Sequence, residues 1–250
     1  REGFSSKPAY LFKDDQEYLY YLANRDGHTN IYRQQLKTNK SEILIKGERS
    51  SAFEAFHFFK SKIDVNKKGE LAFVSKSGET DVLYIYDSET KKIIHKYMYK
   101  NLIGLASPSW SPDGQAIVFS GLSVSGNDDL YIIRVSGDAN DGVIEQLNND
   151  FYDDRNPAWS PDGKHIVFSS DRAHHGDAGA YNLFLYDLGK RQTYYLTSGN
   201  YLDDSPAWSP AGDMIAFTSN RRGTPTNVWI QPFRIGESNF VADLKTSPES

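Results

Sequence analysis

The sequence contains no cysteine in 250 residues. That excludes disulfides, thiolate chemistry and cysteine-ligated zinc together. It suits a cysteine-poor protein outside the cytoplasm, and it equally suits many cytosolic ones. Methionine is scarce, at 2. No apolar run approaches the ~18 residues of a membrane span, and no signal peptide is visible. The chain starts at Arg1 rather than Met. This predicts a processed product or a piece of something longer, so a missing signal says nothing about compartment. Net positive charge is also lacking: the formal charge is −5, which argues against a nucleic-acid partner. Short basic pairs such as Lys91-Lys92 and Arg221-Arg222 read as solvated turn charge. Sustained helical periodicity with caps is absent as well.

Catalytic signatures are equally sparse. A hydrolase nucleophile elbow needs G-x-S-x-G, and the nearest string, GLSVSG at 121–126, has the wrong spacing. No HExxH, no P-loop and no GxGxxG after a strand occurs. His28, His57, His95 and His165 are scattered. His174, His175 and Asp177, in DRAHHGDAGAYN, are metal ligands by type. Adjacent histidines on an extended chain point apart, however, so the string reads first as a polar insertion loop.

What is abundant is aromatic character, with Tyr 16 and Phe 14. Aromatic and β-branched residues suit pleated surfaces. They also recur. PSWSPDGQAIVFSG (108–121), PAWSPDGKHIVFSSDR (157–172) and PAWSPAGDMIAFTSNR (206–221) place Trp110, Trp159 and Trp208 at intervals of 49. Phe119, Phe168 and Phe217 each follow nine residues later. Two weaker copies precede them. One places Tyr10 at the Trp position and Tyr20 at the Phe position; the other places Val65 and Phe73 there. Each copy divides into four short strand-like runs. A four-stranded unit of this length, repeated, predicts an all-β propeller of antiparallel blades, because one small sheet cannot bury both faces alone. Five blades are expected, near 8–52, 53–104, 105–153, 154–203 and 204–250, in one propeller domain.

Within the repeat, SPDG reads as a hairpin turn. Pro presets φ, Asp favours the next position, and Gly takes the left-handed conformation. The last copy has Ala211 for Asp and keeps Pro210 and Gly212, which fits a turn better than catalysis. The tryptophans read as packing between blades. The candidate site lies outside the repeated words. Asp153-Asp154 and Asp203-Asp204 precede the first strands of two blades. Arg25, Arg172 and Arg221 follow second strands, on the same face. These seven residues read either as turn formers and ion pairs between blades or as a rim that binds a cation, such as calcium, or a basic peptide. Paired catalytic acids are a third reading.

These words resemble the TolB-type propeller repeat, a bacterial relative of the WD repeat, over roughly residues 8–245. PAWSPDGKHIVFSSDR with YNLFLYDL and YYLTSGNY carries the resemblance. FEAFHFFKSKIDVNKKGELAFVSKSG (53–78) is most similar to the propellers of large secreted peptidase-like bacterial proteins. TolB itself has a further N-terminal domain and usually six blades, and five copies appear in this chain. The resemblance implies a non-catalytic binding module, periplasmic or secreted, with a protein or peptide partner and no resident cofactor. The alternative it implies is the accessory propeller of a larger secreted hydrolase. It carries over no catalytic residue. A metal-assisted hydrolytic site in the channel is a further alternative.

Overall fold

Runs of alternating aromatic and β-branched residues become strands, as the period of two requires. The computed structural model describes residues 4–25, 27–47, 55–56, 61–135, 142–174, 180–222 and 226–233. Blade 1 is β1 (Phe4–Lys13), β2 (Gln16–Arg25), β3 (His28–Gln35) and β4 (Lys40–Ile45). In blade 2, two short innermost pieces, β5 (Ala55–Phe56) and β6 (Asp64–Val65), both pair with β7 (Glu70–Ser77). β8 (Thr80–Asp87) and β9 (Lys92–Tyr97) follow. Blade 3 is β10 (Leu102–Trp110), β11 (Ala116–Ser123), β12 (Asp128–Arg134) and β13 (Ile144–Gln146). Blade 4 is β14 (Asp154–Trp159), β15 (His165–Ser170), β16 (Asn182–Asp187) and β17 (Gln192–Tyr195). Blade 5 shows β18 (Asp204–Trp208), β19 (Met214–Ser219) and β20 (Asn227–Pro232). Each sheet runs antiparallel in chain order, giving a five-bladed all-β propeller. A single 3-10 turn, Arg172–His174, is the only helical element among the described residues.

The core lies between blades. Trp110 packs on Ala72, Val74, Leu83 and Ile85 of blade 2. Trp159 packs on Val118 and Leu130 of blade 3, and Trp208 on Val167, Leu183 and Leu185 of blade 4. The repeated phenylalanines face the same way, each toward the preceding blade. A third-strand aromatic stands opposite each one: Tyr84 to Phe73, Tyr131 to Phe119, Phe184 to Phe168, Trp229 to Phe217. In blade 1 the corresponding pair is Tyr21 and Tyr32, stacked at 5.4 Å. The sequence expectation of Tyr20 there is corrected by one residue. Tyr10 pairs with Leu19, two before Tyr21, so the first hairpin is two residues longer than the SPDG hairpins. Tyr20 points to the opposite face and is buried against blade 2. Tyr10, at the position of the repeated tryptophan, is exposed.

The SPDG turns form as their chemistry demands. Gly114 and Gly163 sit at φ 69° and 72°. The Gly114 N–H donates to the Ser111 carbonyl at 2.9 Å, and Gly163 to Ser160 at 3.0 Å. The side-chain hydroxyls of Ser111 and Ser160 donate to Asp113 and Asp162, each at 2.5 Å. Burial works against charge on both carboxyls, most strongly in Asp162, but those bonds, with backbone donors, hold both below the usual range. In blade 5, where Ala211 replaces the aspartate, the Ser209 hydroxyl reaches Asp213 instead at 2.7 Å.

Candidate functional site

The loops between second and third strands and the linkers between blades share one face. Arg172 and Arg221 stand there in matched clamps. The Arg172 guanidinium donates to Asp154 Oδ2 at 2.5 Å and to Ser170 Oγ at 3.0 Å. Asp150 lies 3.3 Å from its other nitrogen. The guanidinium rests over Tyr152, Phe168 and Phe184 at 5.4 to 5.5 Å. Forty-nine residues on, Arg221 donates to Asp203 Oδ2 at 2.6 Å and to Ser219 Oγ at 3.1 Å, over Tyr201, Phe217 and Trp229. Both aspartate side chains are fully buried. Burial works against charge on Asp154 and lifts its carboxyl above the usual range, while the Arg172 charge pulls it back. Burial also works against the Arg172 charge, but Asp154 and Asp150 hold that guanidinium firmly protonated.

The two Asp-Asp pairs are therefore out of register. The repeat of 49 equates Asp154 with Asp203, not Asp153 with Asp203. Asp153 is half-buried: its N–H donates to Asp171, and its carboxylate accepts from Asp128 N at 3.4 Å. Asp204 turns to the innermost strands, where it accepts from Arg155 at 3.2 Å and from Asn156 Nδ2 at 2.7 Å. Arg25 occupies the clamp position of blade 1 and lies 4.7 Å over Tyr32. The place of the aspartate is taken there by Ser5, which pairs with Ala23. Of the seven residues, the structure joins Asp154 to Arg172, joins Asp203 to Arg221, and keeps Asp153, Asp204 and Arg25 apart from those clamps.

A second polar arrangement links the innermost strands of blades 3, 4 and 5. Ser107, Asn156 and Ser205 recur at intervals of 49, and all have left-handed φ, at 54°, 52° and 53°. Each precedes a proline and sits at a register shift between first and second strands. Non-glycine residues adopt this conformation rarely, and proline biases its predecessor toward extended backbone. The side chains connect across blades. Ser107 N donates to Ser61 Oγ at 2.9 Å, and Ser107 Oγ donates to Asn156 Oδ1 at 2.6 Å. Asn156 Nδ2 then donates to Asp204, which holds Arg155. Arg155 lies 3.6 Å over the Tyr181 ring, and Lys62 Nζ donates to the Pro157 carbonyl at 2.6 Å. The available signal was the residue before the proline of P-A/S-W-S.

Two cavities open at blade 3. One, of about 540 Å³, is bounded by Tyr99, Leu102, Ser123, Asp129, Tyr131 and Gln146 among others. The other, of about 340 Å³, lies between Asp81, Gly104, Leu122 and Asp128. Burial first, and then the Asp150 charge, pushes the Asp129 carboxyl up to about 6.

Among the described residues no group of three or more His, Asp or Glu side chains is placed to hold a metal ion. His174 closes the 3-10 turn; its side chain, and His175 and Asp177, lie outside the described residues. The hydroxyls of Ser123 and Ser125, in GLSVSG, partner each other at 2.7 Å. Among the described residues no helix is long and apolar enough to cross a membrane.

A search of curated proteins by sequence finds no match. The family model for the TolB beta propeller domain matches residues 65–181. TolB from Acinetobacter baumannii is similar in structure, with a TM-score of 0.71 at 19% identity, over 92% of this chain and 52% of that one. The chain thus spans about half the length of that relative. A protein assigned as TolB from Agrobacterium tumefaciens is similar at TM-score 0.66 and 20% identity, over 92% of this chain and 78% of that one. A prolyl endopeptidase is similar at TM-score 0.59 and 12% identity, over 93% of this chain and 35% of that one. The chain is a β-propeller whose residues 65–181 match the TolB beta propeller domain model, with blades of the same architecture on either side.

Proposed function

We propose that the chain is a non-catalytic binding module that works outside the cytoplasm and receives a protein or peptide partner on the face holding the Arg-Asp clamps. The supporting observation is the chain of polar groups from Ser61 through Ser107 and Asn156 to Asp204 and Arg155. Backbone held in sparsely populated conformations collects at functional sites, where the surrounding structure sustains it. Three such residues on successive innermost strands present small polar groups in a rigid row. The exposed Ser205 and the half-buried Asp153, Asp204 and Arg155 are the groups a partner would meet first. A rigid sheet scaffold with recognition at loops and strand ends is a common division of labour.

The test compares two faces. A photocrosslinking residue placed at Ser205 or Asp153 should capture a partner from an envelope extract. The same residue at Gln115 or Lys164, in the SPDG hairpins at the other end of the blades, should not. Equal capture from both ends, or from neither, would sink this reading.

A second reading has its own support in the similarity to the prolyl endopeptidase. On that reading the chain is the accessory propeller of a larger secreted peptidase, and the same face admits substrate. Peptide sequencing of the native gene product separates the two, because the second requires a peptidase catalytic domain joined to this one.

A further inference from the structure

Blade 3 lacks an arginine where blades 4 and 5 have one. Four residues past the second-strand aromatic stand Ser123, Arg172 and Arg221. In blades 4 and 5 the guanidinium covers the aromatic pair formed with the third strand. In blade 3 that pair is Phe119 and Tyr131, stacked at 5.8 Å, with Tyr99 stacked on Phe119 at 6.3 Å. A serine cannot reach across these rings, and the 540 Å³ cavity opens at this place. Ser123, Tyr99 and Tyr131 are in its wall. So is Asn101, forty-nine residues before the Asp150 that borders the Arg172 guanidinium.

The wall also supplies an anion. Two residues before the third-strand aromatic, blades 4 and 5 carry Asn182 and Asn227, whereas blade 3 carries Asp129. Asn182 donates to the Gly199 carbonyl at 3.1 Å. A carboxylate cannot donate in that way. Asp129 is 2% exposed, and its Oδ2 accepts from Gln146 Nε2 at 3.0 Å. Its Oδ1 is buried without a hydrogen-bond partner. No ion pair reaches it among the described residues. A buried carboxylate oxygen lacking a donor is costly and calls for one.

We propose that this cavity is a socket for the guanidinium of an arginine side chain carried by a peptide partner, which takes in blade 3 the place that Arg172 and Arg221 take in blades 4 and 5. The planar cation stacks on Tyr131 and Tyr99 and directs an N–H to Asp129 Oδ1. Leu102, Val124 and Ile144, also in the wall, cover the aliphatic stem. Guanidinium is preferred to ammonium because it is planar, weakly hydrated and forked. Lys100 in the same wall is a like charge, and Asp129 is the one carboxylate there to set against it. The proposal rests on this face being the receiving one, and it adds the chemistry of what is received.

The test uses the purified 250-residue chain and three small probes followed by calorimetry: the N-acetyl amides of arginine, lysine and citrulline. Arginine amide should bind saturably. Citrulline, the neutral isostere, should bind at least tenfold more weakly, and lysine should fall between them. Asp129→Asn restores the amide of blade 4 and should lower arginine affinity at least tenfold. Ser123→Arg fills the socket from within, so it should abolish binding while raising the melting temperature. No saturable binding by the parent chain, equal binding of citrulline, or undiminished binding by Ser123→Arg would each overturn the proposal. Lysine binding as tight as arginine would overturn the guanidinium assignment. Because the readout is a free small molecule, its failure leaves the crosslinking result for the face intact.

Discussion

Blades 4 and 5 share a sequence pattern and differ in their neighbours. Leu183 and Leu185 of blade 4 face blade 5 and are 0% and 5% exposed. Strand pairing assigns Val228 and Ile230 to the same positions of blade 5, and these are 73% and 65% exposed. Val167 is fully buried and its counterpart Ala216 is half-buried. The lesson is that an apolar pattern states what a face can bury, and the neighbour decides whether it does. The polar clamps follow a different rule. Tyr152, Asp154, Ser170 and Arg172 all belong to the segment that builds blade 4, and Tyr201, Asp203, Ser219 and Arg221 to the one that builds blade 5. Their bonds are nearly identical in the two.

The largest effect should come from breaking a clamp. Arg172→Met leaves Asp154 buried without its cation and should cost about 3–5 kcal/mol in urea unfolding. Arg221→Met should cost the same if clamps are indifferent to neighbours. A much smaller loss there, with fast hydrogen exchange confined to β18–β20, would show that blade 5 opens separately from the rest. Next in size is the apolar face itself. Leu185→Ala should cost about 2–5 kcal/mol, whereas Ile230→Ala should stay within about 0.5 kcal/mol. Equal costs would mean that the far face of blade 5 is covered in solution. The smallest effect concerns the tryptophans. Trp208 Nε1 donates to the Ala158 carbonyl of blade 4 at 3.1 Å, while Trp159 Nε1 is buried without a partner. Trp208→Phe should therefore be the costlier change, by about 1 kcal/mol, on the same unfolding curves.

Local chemistry carried most of the architecture into readable form. Proline, aspartate and glycine in SPDG act within four residues of one another, so their turn could be read directly. The Trp and Phe positions were legible because the repeat keeps its length through blades 3, 4 and 5. Blade 1 has a longer hairpin, and the aromatic position slid there from Tyr20 to Tyr21. The candidate site was less legible for two physical reasons. Adjacent identical residues conceal register, so Asp153-Asp154 and Asp203-Asp204 looked equivalent while their side chains differ in partner and depth. Backbone strain leaves no mark in composition, so Ser107, Asn156 and Ser205 looked like ordinary residues before proline. The socket in blade 3 needed both levels, since Ser123 gains meaning only when pairing aligns it with Arg172.

The self-contained clamp has a bearing on how such a chain can grow. Its four residues fall within one stretch, from Tyr152 to Arg172 or from Tyr201 to Arg221. A gene segment encoding one blade, once duplicated, brings cation, anion, hydroxyl and aromatic cover together. The new copy never passes through an ancestor with a stranded buried charge. What then remains for selection to adjust is the fit between neighbouring sheets, where hydrophobic residues tolerate gradual change. A blade with a small residue at the arginine position, as Ser123 is in blade 3, leaves that space open.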